Sequence, residues 1–159
     1  MKTILTPQQV LNLAFAAGEY LPPDALSEPL IVAAEERYVR PLVGRSLYEK
    51  LLDGAYEEFS VHYVKPLAAV GVKRLLLPQL RLRACAGGVV TPKGEGWQSA
   101  SEESFATADR ALRSEIETLS RRLDAELRRL HAEGALEEYD PKENIRNRCR
   151  NHGGLLQIL

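Results

Sequence analysis

Apolar positions fall at helical spacing along most of this chain. Thr6-Pro7-Gln8-Gln9 reads as a helix start: Thr6 caps, Pro7 takes the first helical position and Gln9 closes a capping box. Val10, Leu13, Ala14 and Ala17 then share one face, until Gly18 weakens the helix and Leu21-Pro22-Pro23 stops it. A second helix is expected from Ser27, tolerating Pro29 in its first turn. Leu30, Ile31, Ala34, Tyr38 and Leu42 form its buried stripe, and Glu35, Glu36, Arg37 and Arg40 are expected to face water. Gly44 serves as its C-cap. Ser46 is expected to cap a short third helix carrying Leu47, Tyr48, Leu51 and Leu52, closed by Asp53-Gly54.

Residues 55–86 predict a longer helical stretch with kinks or breaks at Pro66 and Pro78, since each proline removes a donor and crowds the preceding turn. Gly87-Gly88 ends it, and Val89 to Trp97, with β-branched residues, a proline and glycines, reads as an extended loop or short hairpin. Ser99 with Glu102 predicts a capping box for the longest helix. Ala108, Leu112, Ile116, Leu119, Leu123, Leu127 and Leu130 recur at spacings of four and three, the strongest periodic signal in the chain, and Leu112, Ile116, Leu119 and Leu123 are expected to be buried. At ~1.5 Å per residue the helix is about 50 Å long, and its far end, near His131 to Gly134, is expected to project toward a partner. Asp140-Pro141 breaks it. The fold class is all-α: a helical bundle with one long C-terminal helix, a short extended loop or hairpin near 87–97, and an extended C-terminal tail. Residues 1–140 form one domain and 141–159 the tail. No internal repeat and no low-complexity linker stands out.

Composition narrows this little further. With 45% hydrophobic and 27% charged positions in 159 residues, there is material for one core and a wet surface, which excludes wholesale disorder. A net charge of -1 gives no global drive toward nucleic acid or anionic membrane. The N-terminus lacks the apolar stretch of a signal peptide, and no run approaches the ~20 apolar residues of a membrane span, so a protein that meets no membrane is expected. Cys85 and Cys149 fit no paired spacing and are expected to be reduced thiols.

Catalytic chemistry is sparse. His62, His131 and His152 stand at no metal spacing, and Cys149-Arg-Asn-His152 lacks the second pair that a zinc site needs. Gly87-Gly88 and Gly94-Glu-Gly96 fit neither a phosphate loop nor a dinucleotide fingerprint. Glu35 and Glu36 are adjacent, so on a helix they point about 100° apart and do not form a carboxylate pair. Arg121-Arg122 and Arg128-Arg129, with Asp124 and Glu126, read as an ordinary charged helix face. No enzyme, no cofactor and no metal is expected. Three features point instead to contacts. Lys73, Arg74, Arg81 and Arg83 are four cations with no acid between them, suited to phosphate or an acidic partner. Trp97 is a large aromatic in a loop and is expected to pack on the domain or a neighbour. Leu155, Leu156, Ile158 and Leu159 follow Gly153-Gly154 as an apolar strip that a lone monomer would leave exposed.

The stretch from Ile31 to Leu51 carries a resemblance. Ala34-Glu35, an aromatic at Tyr38 followed by Val39, the break at Gly44-Arg45 and a short helix beginning Leu47-Tyr48 resemble the early helices of tailed-phage head–tail connector proteins. In residue detail the likeness covers about 31–52; the order of elements is similar over about 5–140. The resemblance implies a structural adaptor that forms a ring of about a dozen copies beneath the portal. Its partners would be further copies of itself, portal and tail-completion proteins, with passing contact to DNA. It would reside in the bacterial cytoplasm during assembly and then in the virion. The alternative is a small bacterial helical regulatory protein binding nucleic acid through the 73–83 cluster.

Overall fold

The computed structural model describes residues 2–16, 21, 25–81, 83–85, 88–90, 101–147, 149–152 and 155–158. Among the described residues, five helices make the body. α1 is Pro7–Ala14. α2 runs Glu28–Ala34, passes through a π-helical turn at Glu35–Val39 and ends in Arg40–Val43. α3 is Arg45–Leu52. α4 begins at Glu57–Phe59, passes a second π turn at Ser60–Val64 and continues through Lys65–Arg81. α5 is the long one, Glu102–Ala132. Two antiparallel two-stranded ladders accompany them: β1 (Arg83–Cys85) pairs with β2 (Gly88–Val90), and β3 (Cys149–His152) with β4 (Leu155–Ile158). The all-α reading, with its long C-terminal helix, holds.

α4 is the centre. α1, α2 and α5 all pack on it, and Leu67, Ala68, Ala69, Val72 and Leu76 of its inner face are buried. Its small residues allow close approach. A Cβ on Gly71 would sit 2.5 Å from Cδ2 of Tyr38, so the α2–α4 contact is closed there by the absence of a side chain. Gly71→Ala should gain about 1 kcal/mol of helix propensity and lose about 1–3 to overpacking. The expected net is a destabilisation of up to about 2 kcal/mol by urea unfolding; a raised midpoint would contradict the tight contact.

Both prolines expected to interrupt helices are accommodated. Each π turn stands one residue before a proline: Arg40 N–H reaches back five residues to the Glu35 carbonyl ahead of Pro41, and Lys65 N–H reaches Ser60 ahead of Pro66. A proline ring clashes with the carbonyl four residues back, and a turn widened by one residue gives that carbonyl room. The helical hydrogen-bond pattern therefore continues through Pro66, and Pro78 lies in the last turns of α4, which runs on to Arg81. The two sites share a sequence: Tyr38-Val39-Arg40-Pro41-Leu42 recurs as Tyr63-Val64-Lys65-Pro66-Leu67. This corrects the expectation of no internal repeat. A repeated segment this short does not stand out against a helical background, and its structural meaning appears only with the π turns.

Several ends differ from expectation. The Thr6–Gln9 capping box is present. α1 stops at Ala14, earlier than the stripe implied, and Leu13 is 46% exposed. Gly44, with φ of 79°, both ends α2 and opens α3, so Ser46 is not the cap. The α3 N-terminus is capped from a distance, by Glu143 Oε2 accepting from Arg45 N–H at 2.6 Å. Ser101, not Ser99, caps α5, accepting from Ser104 N–H. α5 buries Leu112, Ile116, Leu123 and Leu127, but Leu119 is only partly buried, because Ser120 and Asp124 take the covered positions beside it. Both ends of α5 are open among the described residues: none before Leu112 is buried and His131 to Ala135 are exposed, while Leu123 and Leu127 pack in the same core as Leu136 and Tyr139.

Packing continues past 140. Asn144 is fully buried; its Nδ2 donates to Asp124 Oδ1 at 2.9 Å and to the Tyr139 hydroxyl at 2.8 Å. Arg146 bridges to Glu117 at 2.8 Å, and Asn147 Nδ2 donates to the Pro141 carbonyl. Residues 141–147 are therefore fastened to α5, and the tail as drawn from sequence begins later, at the β3–β4 ladder.

Candidate functional site

The basic cluster is largely spoken for. Lys73 Nζ donates to the Ala14 carbonyl at 2.9 Å and lies 4.8 Å from the centroid of the Phe15 ring, so its charge closes the C-terminus of α1, where a cation is favoured. Arg74 donates to Asp109 at 2.9 Å and to the Tyr38 hydroxyl at 3.2 Å, tying α4 to α5 and α2. Asp109 is held below the ordinary carboxylate range, chiefly by the Arg74 hydrogen bond. Arg81 ends α4 and Arg83 opens β1 opposite Val90, beyond the pair that sequence grouped with them. Lys73 and Arg74 thus have structural tasks that the sequence could not show, because their partners lie in other helices.

Trp97 and Leu159 lie outside the described residues. Leu155, Leu156 and Ile158 form β4, paired in register as His152↔Leu155, Asn151↔Leu156 and Cys149↔Ile158. Instead of one extended strip the segment is a hairpin, and within it each strand has one partner. The outer edges of β3 and β4 are unpaired in this ladder, which is the arrangement that accepts an additional strand.

The residue that sequence reasoning misplaced most is Glu35. It is fully buried rather than solvent-facing. Oε1 accepts from the backbone N–H of Ile4 at 2.9 Å and of Leu5 at 3.1 Å, and Oε2 accepts from the Tyr48 hydroxyl at 3.0 Å. One carboxylate thereby joins the N-terminal segment, α2 and α3. Burial pushes its pKa up, opposed by those three hydrogen bonds and reinforced by neighbouring Glu36. The signal was present: Ile31, Glu35 and Val39 are four apart and lie along the buried stripe.

Two grooves flank α5. The first, about 580 Å³, is lined by Tyr38, Pro41 and Leu42 on one wall, Ser120, Asp124 and Arg128 on the other, with Arg37, Ile145 and Arg146 at its rim. Arg128 pairs with Asp124 at 2.8 Å, and Arg37 has its side chain against the Tyr38 ring. The second, about 310 Å³, lies between Glu58, Phe59, His62 and Tyr63 and the α5 residues Glu126, Arg129 and Leu130. Here Arg129 is clamped between Glu126 at 2.6 Å and Glu133 at 2.7 Å. Of the charged helix face expected from sequence, Arg121, Arg128 and Arg129 make ion pairs, Arg121 with Glu117, whereas Asp124 is buried and also accepts from Asn144.

Among the described residues no group of three or more His, Cys, Asp or Glu side chains is placed to hold a metal ion, and every buried side-chain nitrogen or oxygen has a hydrogen-bond partner. No described helix is long and apolar enough to cross a membrane. No protein family, curated protein or solved structure matches the chain. What the surfaces offer is recognition by charge and shape: grooves with arginine rims, and a hairpin with open edges.

Proposed function

We propose that this chain is a structural, non-catalytic adaptor of a tailed-phage or prophage particle, a head–tail connector that oligomerises into a ring beneath the portal. The observation that carries the reading is what the resembling residues do. Ala34, Val39 and Leu47 are fully buried, Glu35 and Tyr48 are hydrogen-bonded to each other, Tyr38 closes on Gly71, and Gly44 takes a left-handed φ. The matched positions are therefore not scattered surface coincidences; together they fix the angle between α2, α3 and α4. A likeness concentrated in such a knot supports a shared fold, and the connector role is proposed from that likeness.

Portal and tail-completion proteins would be its partners, DNA would pass through the ring, and it would reside in the bacterial cytoplasm until incorporated into the virion. The rival reading, a regulatory protein using the 73–83 cluster on nucleic acid, loses support from the engagement of Lys73 and Arg74 within the body. Light scattering after size exclusion, followed by electron microscopy, tests the proposal. Closed rings of about a dozen copies are expected, alone or on a co-expressed portal; a species that stays monomeric under both conditions would overturn it.

A further inference from the structure

The repeated pentapeptide places one Tyr-Val-basic-Pro-Leu turn on each flank of α5. Ser120, Asp124 and Arg128 line the groove at the Tyr38 turn. Arg122, Glu126 and Leu130, each two residues further on, face the Tyr63 turn, with Arg122 over the Tyr63 ring at 5.8 Å. Two residues rotate a helix position by about 200°, so the two grooves open on roughly opposite sides of one rod. Leu123 and Leu127, buried between them, hold that rod to the body.

The flanks are alike in construction and opposite in charge. The Tyr38 groove carries Arg37, Arg128 and Arg146 against Asp124. At the Tyr63 groove stand Glu58 and Glu126 against Arg129, whose charge Glu126 and Glu133 share; Arg122 is the opposing cation there. Most charges on α5 are matched within the chain. Arg37 on one flank and Glu58 on the other are exposed and make no ion pair among the described residues. The basic rim also shows an apolar side chain to solvent, Ile145, 53% exposed.

We infer that these flanks are the two halves of one interface, the basic Tyr38 groove of one copy receiving the acidic Tyr63 edge of the next. The continuous helix between them holds the halves apart, so the complementarity cannot be met within one chain. A contact between two different faces is head-to-tail: it propagates, and it closes into a ring when the rotation per copy permits. Charge matching would also set the register and speed the encounter, and it weakens with salt. The inference rests on the ring reading above and names the surfaces that build it.

Charge exchange tests it. Arg37→Glu in one preparation and Glu58→Arg in another should each weaken self-association by on the order of tenfold or more, because a like charge then faces its partner. Both positions are exposed, and circular dichroism should report unchanged folds. Mixing the two variants should restore assembly, since every junction then joins opposite charges, and so should the doubly exchanged chain R37E/E58R. If wild type assembles and the single variants assemble equally well, or the mixture and double variant stay dissociated, these surfaces are wrong while the ring reading stands. If wild type itself remains monomeric with and without a portal, both fall.

Discussion

Glu35→Ala is expected to lower the stability of the folded chain by about 3–5 kcal/mol, a large part of the about 5–15 kcal/mol that a domain ordinarily possesses. The truncation strands three donors at once: Ile4 N–H, Leu5 N–H and the Tyr48 hydroxyl. Each buried donor left without a partner costs about 1–3 kcal/mol. Relief of burying a carboxylate offsets part of this, since burial raises the Glu35 pKa, but one relieved charge does not outweigh three orphaned donors in a site with no solvent exposure. Glu35→Gln keeps the shape and an acceptor for the two backbone groups, so it should cost less. It also isolates the titration. A carboxyl whose folded pKa is raised adds stability that is fully present below the ordinary glutamate range and is lost as pH rises through the folded value. Wild type should therefore gain on Glu35→Gln as pH is lowered from neutral toward that range. Denaturant unfolding of the three proteins across that window decides it, and a wild-type advantage that shrinks on acidification would contradict a raised pKa.

The same residue shows what could be read in advance. Helix existence was legible because it rests on periodicity: the α5 stripe and the Thr6–Gln9 box are local statements about neighbours three or four apart. Glu35 obeyed that period, but its charge assigned it to water, and only the N–H groups of Ile4 and Leu5, supplied from another segment, reverse the assignment. Lys73 and Arg74 follow the same logic: a run of cations looks free until Ala14 and Asp109 are brought to it. The absence of a break at Pro66 has a different reason. The expected interruption assumes a regular α-helix, whereas the chain inserts an extra residue per turn just ahead of Pro41 and Pro66. Long-range partners and altered helical pitch do not leave a mark on sequence spacing; caps and stripes do.

Gly44→Ala should be the second large loss, about 2–4 kcal/mol. The residue sits at φ 79° and ψ 174°, a conformation almost confined to glycine, and an L side chain there costs about 1–3 kcal/mol. The added Cβ would also stand 2.6 Å from Oε2 of Glu143, the atom that caps the Arg45 N–H. Displacing it forfeits a helix cap worth about 0.5–2 kcal/mol, while stiffening of the unfolded chain adds a further penalty-free gain to the native state of only about 0.4–1. Strain and the lost cap therefore win. The double variant Gly44→Ala/Glu143→Ala separates them: with the glutamate already gone, the additional cost of the alanine should fall to the backbone strain alone, a coupling of about 0.5–2 kcal/mol in the cycle. Additive costs would mean that Glu143 does not crowd Gly44. The consequence reaches beyond α3, because Glu143 stands in the segment that leads into β3. A chain that loses this cap should loosen the base from which the C-terminal hairpin leaves the body, and amide exchange at Arg45 and Asn144 should rise together.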